Sequence, residues 1–583
     1  TTDKGEYLML ACHYKGEETM QLLSTLLPEL ITELPFPKSM RWGSNRTAFV
    51  RPIQWLLALY NGAVVPCNIE DITSGNTTCG HRFMAPGTFA VSDFKQYQEE
   101  LRKAHVLVNP EERREAVRVT VTEAAQNAGG TVIVDEELIE TVTHLVEKPH
   151  GICGTFDDHF LALPKEVLIT SMREHQKYFA IADDKGALRP HFIAVNNTET
   201  KDAKLAADGH QRVLRARLED ALFFFKEDQQ RPLADRVNDL SGVIFQAKLG
   251  TLKEKTARVT KLAGFLAEQL APEQQQLCER AAHLSKADLL TAMVTEFTSL
   301  QGVIGRHYAT DNNEDPIVAQ AIVEHYMPVR AGSELPESSV GAIVGLADRI
   351  DTIAGCFGIG QNPSGTADPF GLRRQALGLL HIIEKKGFVI SLSTITDKAI
   401  ELYEDRLTVA KEETKANAMN FIKGRFVNDL VGRGISGAAV EAATSVHFDD
   451  PVDSRARIDA LLAISGQETF SLLAGSFKRV KNIIKENNDT EVRDNLLTET
   501  AEKELHAALN SIRTNTAPML AAKSYKEALT EILKMKEPVD KFFDDVMVMA
   551  EEEDLRRNRL ALLTSIAELF LSVGDFSKMY SAV

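Results

Sequence analysis

The stretch from Ala342 to Ile383, AIVGLADRIDTIAGCFGIGQNPSGTADPFGLRRQALGLLHII, constrains this chain most, because it reads as two helices joined by a glycine-rich loop. Ile343, Ala347, Ile350, Ala354 and Phe357 recur at helical spacing, which predicts one apolar face with Asp348, Arg349 and Asp351 off it. Gly358, Gly360, Pro363 and Gly365 then stop that helix and supply permissive backbone. Asp368 followed by Pro369 predicts the next helix start, a capping carboxylate and then a ring already set to helical φ. Leu372, Ala376, Leu379 and Ile383 form its buried stripe, with Arg373 and Arg374 in the first turn. The helix dipole disfavours cations there, so the two arginines need a partner, either carboxylate or phosphate.

The loop is not a nucleotide cradle. A P-loop needs a lysine and then serine or threonine after its glycines, and neither Gly360 nor Gly365 is followed by that pair. A dinucleotide fingerprint needs a strand before the glycines, where here a helix precedes them. A tight connection between two core helices is the reading that spacing alone leaves open.

At 583 residues the chain is long enough for three or four ordinary domains, and 44% hydrophobic residues suffice for real cores. The net charge of -17 argues against attraction of nucleic acid to the whole surface, so any RNA contact must use local basic patches. Six cysteines, Cys12, Cys67, Cys79, Cys153, Cys278 and Cys356, are scattered without a C-x-x-C pair, which favours reduced thiols in a cytoplasmic protein. No stretch is apolar over a bilayer's thickness, and TTDKGEY is no secretory signal, so no membrane partner is expected.

The first 240 residues alternate strand and helix, an α+β pattern. KGEYLML reads as a strand, and the helix after it closes at Pro35 and Pro37. One charged helix is predicted from Gln96 to Asp135, broken at Gly129-Gly130. Arg41, Trp42, Arg51, His81 and Arg82 bunch basic and aromatic groups, suited either to phosphate contact and stacking or to salt bridges around a core tryptophan. His175 in MREHQKYFA lacks metal-spaced partners and points to structure or RNA contact. Arg212, Arg215 and Arg217 precede Phe223, Phe224 and Phe225, which are expected to face a core.

From Ser241 to Tyr403 the pattern is almost wholly helical, and after a helical linker from 404 to 465 the last segment, 466 to 583, reads as a helical bundle with a basic edge. Ser524 and Glu527 form a capping-box pattern ahead of a helix expected to halt before Pro538. Lys478, Arg479, Lys481 and Lys485 line FKRVKNIIKEN, and Arg556, Arg557 and Arg559 open the last helix. Contact with nucleic acid and pairing with nearby glutamates both fit these positions.

The run ADRIDTIAGCFGIGQNPSGTADPFGLRRQALGLL resembles the signature stretch of the beta subunit of the bacterial heterotetrameric glycyl-tRNA synthetase. MRWG…RP…GHRF, HQKYF and the ending VMVMAEEEDLRRNRLALLTSIAELFLSVGDFSKM fit the same family, so the resemblance covers nearly the whole chain. It implies a multidomain α+β chain in which residues 1–240 are similar to the editing module of phenylalanyl-tRNA synthetase beta subunits. Glycine is the smallest amino acid, so a size-screening pocket has little to exclude and an editing role is not expected. Residues 241–403 would be a degenerate HD-type phosphohydrolase domain, and 466–583 an anticodon-binding bundle of the arginyl-tRNA synthetase type. The position that would read His-Asp in a metal-binding HD domain is Ala287-Asp288, and the late aspartate is Asp348, so both are expected as remnants of a lost metal site, with His283, His307 and His325 nearby.

The same resemblance implies ATP-dependent ligation of glycine to tRNA(Gly) by two alpha and two beta subunits. ATP with Mg2+ would be used at the alpha subunit, and this chain would bind no cofactor or metal and supply no catalytic residue. Arg373, Arg374, Lys478, Arg479, Lys481, Lys485, Arg556, Arg557 and Arg559 are the expected tRNA-facing residues. Family members carry a further N-terminal segment, so this sequence is expected to begin inside the subunit. A stand-alone metal phosphohydrolase and an RNA-binding scaffold are the competing classes.

Overall fold

The computed structural model describes residues 16–485 and 487–580, which fall into two compact units, 1–224 and 225–583. The strand expected over KGEYLML and the thiol of Cys12 lie outside the described residues. The other five cysteines are free thiols.

The first unit is α+β. Its main sheet runs in the order Thr131–Val132, Phe179–Ala182, Leu188–Asn196, His150–Thr155, antiparallel throughout. Helix Pro110–Asn127 starts cleanly because Asn109 accepts from the Glu111 amide at 2.8 Å and Pro110 fills the first helical position. Val117, Val121 and Ala125 of that helix pack on Phe179, Ile181 and Ile193 of the sheet. Gly154 has to be glycine, since a Cβ there would stand 2.3 Å from Cζ of Phe192. The single charged helix expected over 96–135 is in fact two, Phe94–Lys103 and Pro110–Asn127, separated where Asn109 caps the second. Phe223 is 63% exposed, so of the three phenylalanines expected in a core only Phe225 is buried.

Among its described residues, the second unit is helical apart from a short antiparallel hairpin, Ile244–Gln246 with Gly250–Thr251. Thr251 and Glu254 form a capping box that starts helix Leu252–Leu270. At the centre stands helix Ser339–Gly358, which packs against helices Leu252–Leu270, Gln275–Leu284, Pro316–Glu324, Leu372–Lys386, Leu392–Glu401 and Lys411–Gly432. Surrounded in this way, it buries every residue but Ser339 and Asp348. The one-faced amphipathic helix expected from its spacing is therefore a core helix, and its charges had to find partners inside.

Toward the C-terminus, helices Glu468–Ile484, Thr500–Ala521, Tyr525–Ile532, Lys536–Asp545 and Glu553–Leu571 pack around Phe477, Phe570 and Phe576, whose ring centroids lie 5.1 to 5.9 Å apart. The Ser524 side chain makes no cap, and the chain turns helical again through Pro538, which sits in the first turn of Lys536–Asp545 where a missing amide costs nothing.

Candidate functional site

The loop and arginines of the 342–383 stretch come first. Helix Leu372–Lys386 begins three residues later than Asp368-Pro369 suggested, because Gly371 adopts a left-handed φ of +60° and turns the chain into the helix. Asp368 still caps it from a distance, accepting from the Leu372 amide at 2.7 Å and the Arg373 amide at 3.0 Å. Arg373 is held on the loop: its Nη2 donates to the Gly365 carbonyl at 2.9 Å, and its Nη1 lies 4.0 Å from the Asp368 carboxylate. The awkward cation at a helix N-terminus is thus answered by a carboxylate for Arg373. Arg374 is exposed and has no side-chain hydrogen bond or ion pair among the described residues, so the two neighbours part company.

Behind this helix, Asp348 and Asp351 of the central helix organise three buried cations. Lys255 Nζ lies 2.8 Å from Asp348 Oδ1 and 3.0 Å from Asp351 Oδ2, and donates to Thr352 Oγ1 at 2.8 Å. Arg258 Nε donates to Asp351 Oδ1 at 2.7 Å, and its Nη2 donates to the Tyr403 hydroxyl at 3.2 Å. Lys286 Nζ donates to Asp348 Oδ2 at 3.0 Å and to His325 Nε2 at 2.9 Å. His325 Nδ1–H in turn donates to the Ile322 carbonyl at 2.7 Å, which leaves Nε2 as the acceptor. Arg349 spends its guanidinium on the carbonyls of His325, Gly345, Tyr326 and Met327.

These contacts set the charges. Burial opposes the charge on Lys255, but Asp348 and Asp351 outweigh it and hold the ammonium above the usual lysine range. Burial, reinforced by repulsion from Lys255, pulls Lys286 below that range in spite of Asp348. Burial and Lys286 together keep His325 neutral, well below the ordinary imidazole value. Burial also works against the Asp348 carboxylate, and Lys255 and Lys286 more than offset it, so it stays ionised.

This chemistry does not fit a metal. A divalent ion needs free carboxylate and imidazole lone pairs, yet both Asp348 oxygens face ammonium groups and the His325 lone pair accepts from one. Asp288 is turned to the backbone, its Oδ2 accepting from the Gly302 amide at 2.5 Å. Among the described residues no three metal-capable side chains converge. The residues expected as metal remnants are thus parts of a lysine-centred ion cluster and a separate buried carboxyl.

Burial pushes the Asp288 carboxyl up to about 6 from 3.8, against the amides that hydrogen-bond it. The folded chain therefore holds that proton more tightly than the unfolded one, and the stability involved is complete below the unfolded value and lost as pH rises through about 6. Asp288→Asn, uncharged throughout, is expected to lose less stability than the parent on going from acid to neutral pH, by at most about 3 kcal/mol. Unfolding midpoints across that pH range check it, and identical pH profiles for the two proteins would refute it.

At the basic edge of the C-terminal bundle the expected residues divide by burial. Lys478, Arg479, Lys485 and Arg557 are exposed. The Lys478 ammonium lies 5.0 Å from the Tyr580 ring centroid and the Arg479 guanidinium 4.2 Å from that of Phe543, so each charge rests against an aromatic face. Lys481 is paired with Asp575 at 2.7 Å, and Arg556 donates to the Ala550 carbonyl at 3.2 Å. Arg559 is a correction to the tRNA-facing set: it is 6% exposed, paired with the Glu502 carboxylate and donating to the Met547 carbonyl at 2.8 Å. Its charge is consumed inside the bundle.

In the first unit, His81 is fully buried, its Nε2 2.8 Å from the Asn197 carbonyl while the Phe83 and Met84 amides donate to Nδ1, so it ties down a turn. Tyr178 of HQKYF donates to His210 Nδ1 at 2.7 Å, a structural role.

Sequence reasoning did not single out Lys255, Arg258, Lys286, Tyr326 or Tyr403. The signal was present for two of them: Lys255 and Arg258 share a helix face with Val259 and Leu262, and a cation within an apolar stripe needs a buried partner.

Two family models match the chain. The glycyl-tRNA synthetase beta subunit model spans residues 1–445, and the DALR anticodon binding domain model spans 474–573. Similar relatives include the glycine–tRNA ligase beta subunits of Geobacter sp. (strain M21) and Citrifermentans bemidjiense, each 48% identical over 579 residues, covering 99% of this chain and 84% of the relative. That of Geotalea daltonii is 48% identical over 578 residues with the same coverage.

Proposed function

The chain belongs to the glycyl-tRNA synthetase beta-subunit family, and from that premise we propose that it is the tRNA-binding subunit of a glycine–tRNA ligase. It binds tRNA(Gly) and positions the acceptor end for ATP-dependent aminoacylation at the active site of a separate alpha subunit, in a cytoplasmic complex of two alpha and two beta chains. Positioning lowers a barrier by supplying orientation without donating a catalytic group. ATP and Mg2+ are used on the alpha side. Residues 1–240 are an editing-like α+β region, 241–403 a degenerate HD-type domain kept as a scaffold, 404–465 a linker, and 466–583 the anticodon-binding domain.

The observation that carries this reading is the coincidence of the anticodon-binding match at 474–573 with the exposed cations Lys478, Arg479, Lys485 and Arg557. The ammonium groups on both oxygens of Asp348 count against the metal phosphohydrolase reading.

The test replaces Lys478 and Arg479 together with glutamate. Affinity for tRNA(Gly) is expected to fall by at least tenfold, and the slope of log affinity against log salt to flatten by about two, one per lost phosphate contact. Glycyl-tRNA formation on adding the alpha subunit should drop at limiting tRNA and recover partly at high tRNA. Unchanged binding at every salt concentration would move the anticodon contact elsewhere, and no stimulation of alpha by the unaltered chain would overturn the assignment.

A further inference from the structure

A cavity of about 420 Å³ opens between the central helix, helix Leu372–Lys386 and the hairpin that precedes helix Leu252–Leu270. Its walls carry four cationic side chains, Lys255, Lys286, Arg349 and Arg374, against one carboxylate, Asp348. Asp351, outside the lining, is shared between Lys255 and Arg258, so it does not cancel this excess. Buried cations in excess of their carboxylates are costly, and an anion in the cavity relieves that cost.

Donors remain for such a ligand. Lys286 has given two of its three protons, to Asp348 and His325, and the four hydrogen bonds of Arg349 come from its Nη1 and Nη2 atoms. Tyr326 lines the cavity, and its hydroxyl is buried without a hydrogen-bond partner among the described residues. Arg374 stands at the mouth, close enough to Arg349 for the two charges to repel.

The cavity is too large for a lone oxyanion, since its volume equals that of roughly a dozen waters. Beside the polar side chains of Gln301, His325, Thr352 and Gln375, another part of its wall is apolar and aromatic: Phe245 and Phe370, with ring centroids 6.2 Å apart, and Leu252, Leu289, Pro328 and Val329. A charged half and a flat apolar half describe a ligand with a phosphoryl group at one end and an aromatic ring system at the other.

We propose that this cavity is a binding site for a free mononucleotide, which Lys286 and Arg374 hold by its phosphate and Phe245 and Phe370 by its base. The ligand is bound and not hydrolysed, because the groups that would activate water are engaged by lysine. The site is distinct from the basic edge of the C-terminal bundle, so tRNA binding there and nucleotide binding here can fail independently.

Isothermal titration of the full chain, with no alpha subunit present, tests this with AMP, ATP, pyrophosphate, adenosine and a short single-stranded oligoribonucleotide as probes. One AMP or ATP is expected per chain, with adenosine and pyrophosphate each at least tenfold weaker. Arg374→Glu, on an exposed side chain, should weaken nucleotide binding at least tenfold and leave the melting temperature unchanged. Lys286→Met should abolish binding, and if that variant fails to fold Arg374→Glu decides. No saturable mononucleotide binding tighter than about 1 mM, binding that ignores Arg374→Glu, pyrophosphate binding as tight as ATP, or binding of the oligoribonucleotide alone would each overturn the proposal.

Discussion

Asp351→Leu is expected to lower the stability of the helical unit by about 3–5 kcal/mol, the cost of leaving a buried charge without its partner. Asp351 is fully buried and receives Lys255 on one oxygen, Arg258 on both, and the Tyr403 hydroxyl. Removing its carboxylate strands Arg258, whose remaining partners are the Leu249 carbonyl and the Tyr403 hydroxyl. For a unit of this size the loss corresponds to a fall in melting temperature of about 4–7 °C. The second half of the experiment separates charge from packing. Arg258→Met added to Asp351→Leu removes the stranded cation and should recover more than half of the loss, since a buried pair can often be replaced by apolar groups at little cost. Denaturation midpoints of the parent, both single variants and the double variant measure the coupling. Additive losses with no recovery would mean that Asp351 acts by filling space.

The same cluster shows where the sequence was legible and where it was not. The helix–loop–helix of residues 342–383 is there, and so is the first-turn placement of both arginines, because spacing, glycine and proline act locally. The exact helix start was missed since Gly371 turns the chain after Asp368-Pro369, and the aspartate caps from outside the helix. The burial of Arg349 and Asp351 was missed for a different reason. Periodicity reports which face of a helix is apolar but not how many neighbours surround it, and this helix has six. Lys255 meets Asp351 across 96 positions, and Arg559 meets Glu502 across 57, separations at which no local pattern reports a pair. Capping failed in the opposite sense at Ser524, where the pattern is present but the side chain makes no cap hydrogen bond. Family resemblance supplied what spacing could not, the division of the chain into a signature region and an anticodon-binding bundle.

Glu502→Leu should be almost as damaging as any substitution of Arg559 itself, although Glu502 could never attract a phosphate. The carboxylate is fully buried, and the guanidinium it holds is also tied to the Met547 carbonyl, so losing Glu502 leaves a cation inside the bundle. The expected loss is again about 3–5 kcal/mol, now confined to the C-terminal helices. Arg559→Met should cost a similar amount by stranding Glu502. The double variant, Glu502→Leu with Arg559→Met, should regain much of the stability and, with it, the affinity for tRNA(Gly). That recovery is the decisive reading. If Arg559 contacted RNA, its loss would persist in the double variant however well the bundle folded, and the salt dependence of binding would flatten by about one. A double variant that melts like the parent and yet binds tRNA tenfold more weakly would return Arg559 to the interface. One that binds like the parent leaves the basic edge to the exposed cations: Lys478 and Arg479, whose charges rest against aromatic faces, Lys485, and Arg557, whose Nη2 lies 4.0 Å from the Asp489 carboxylate.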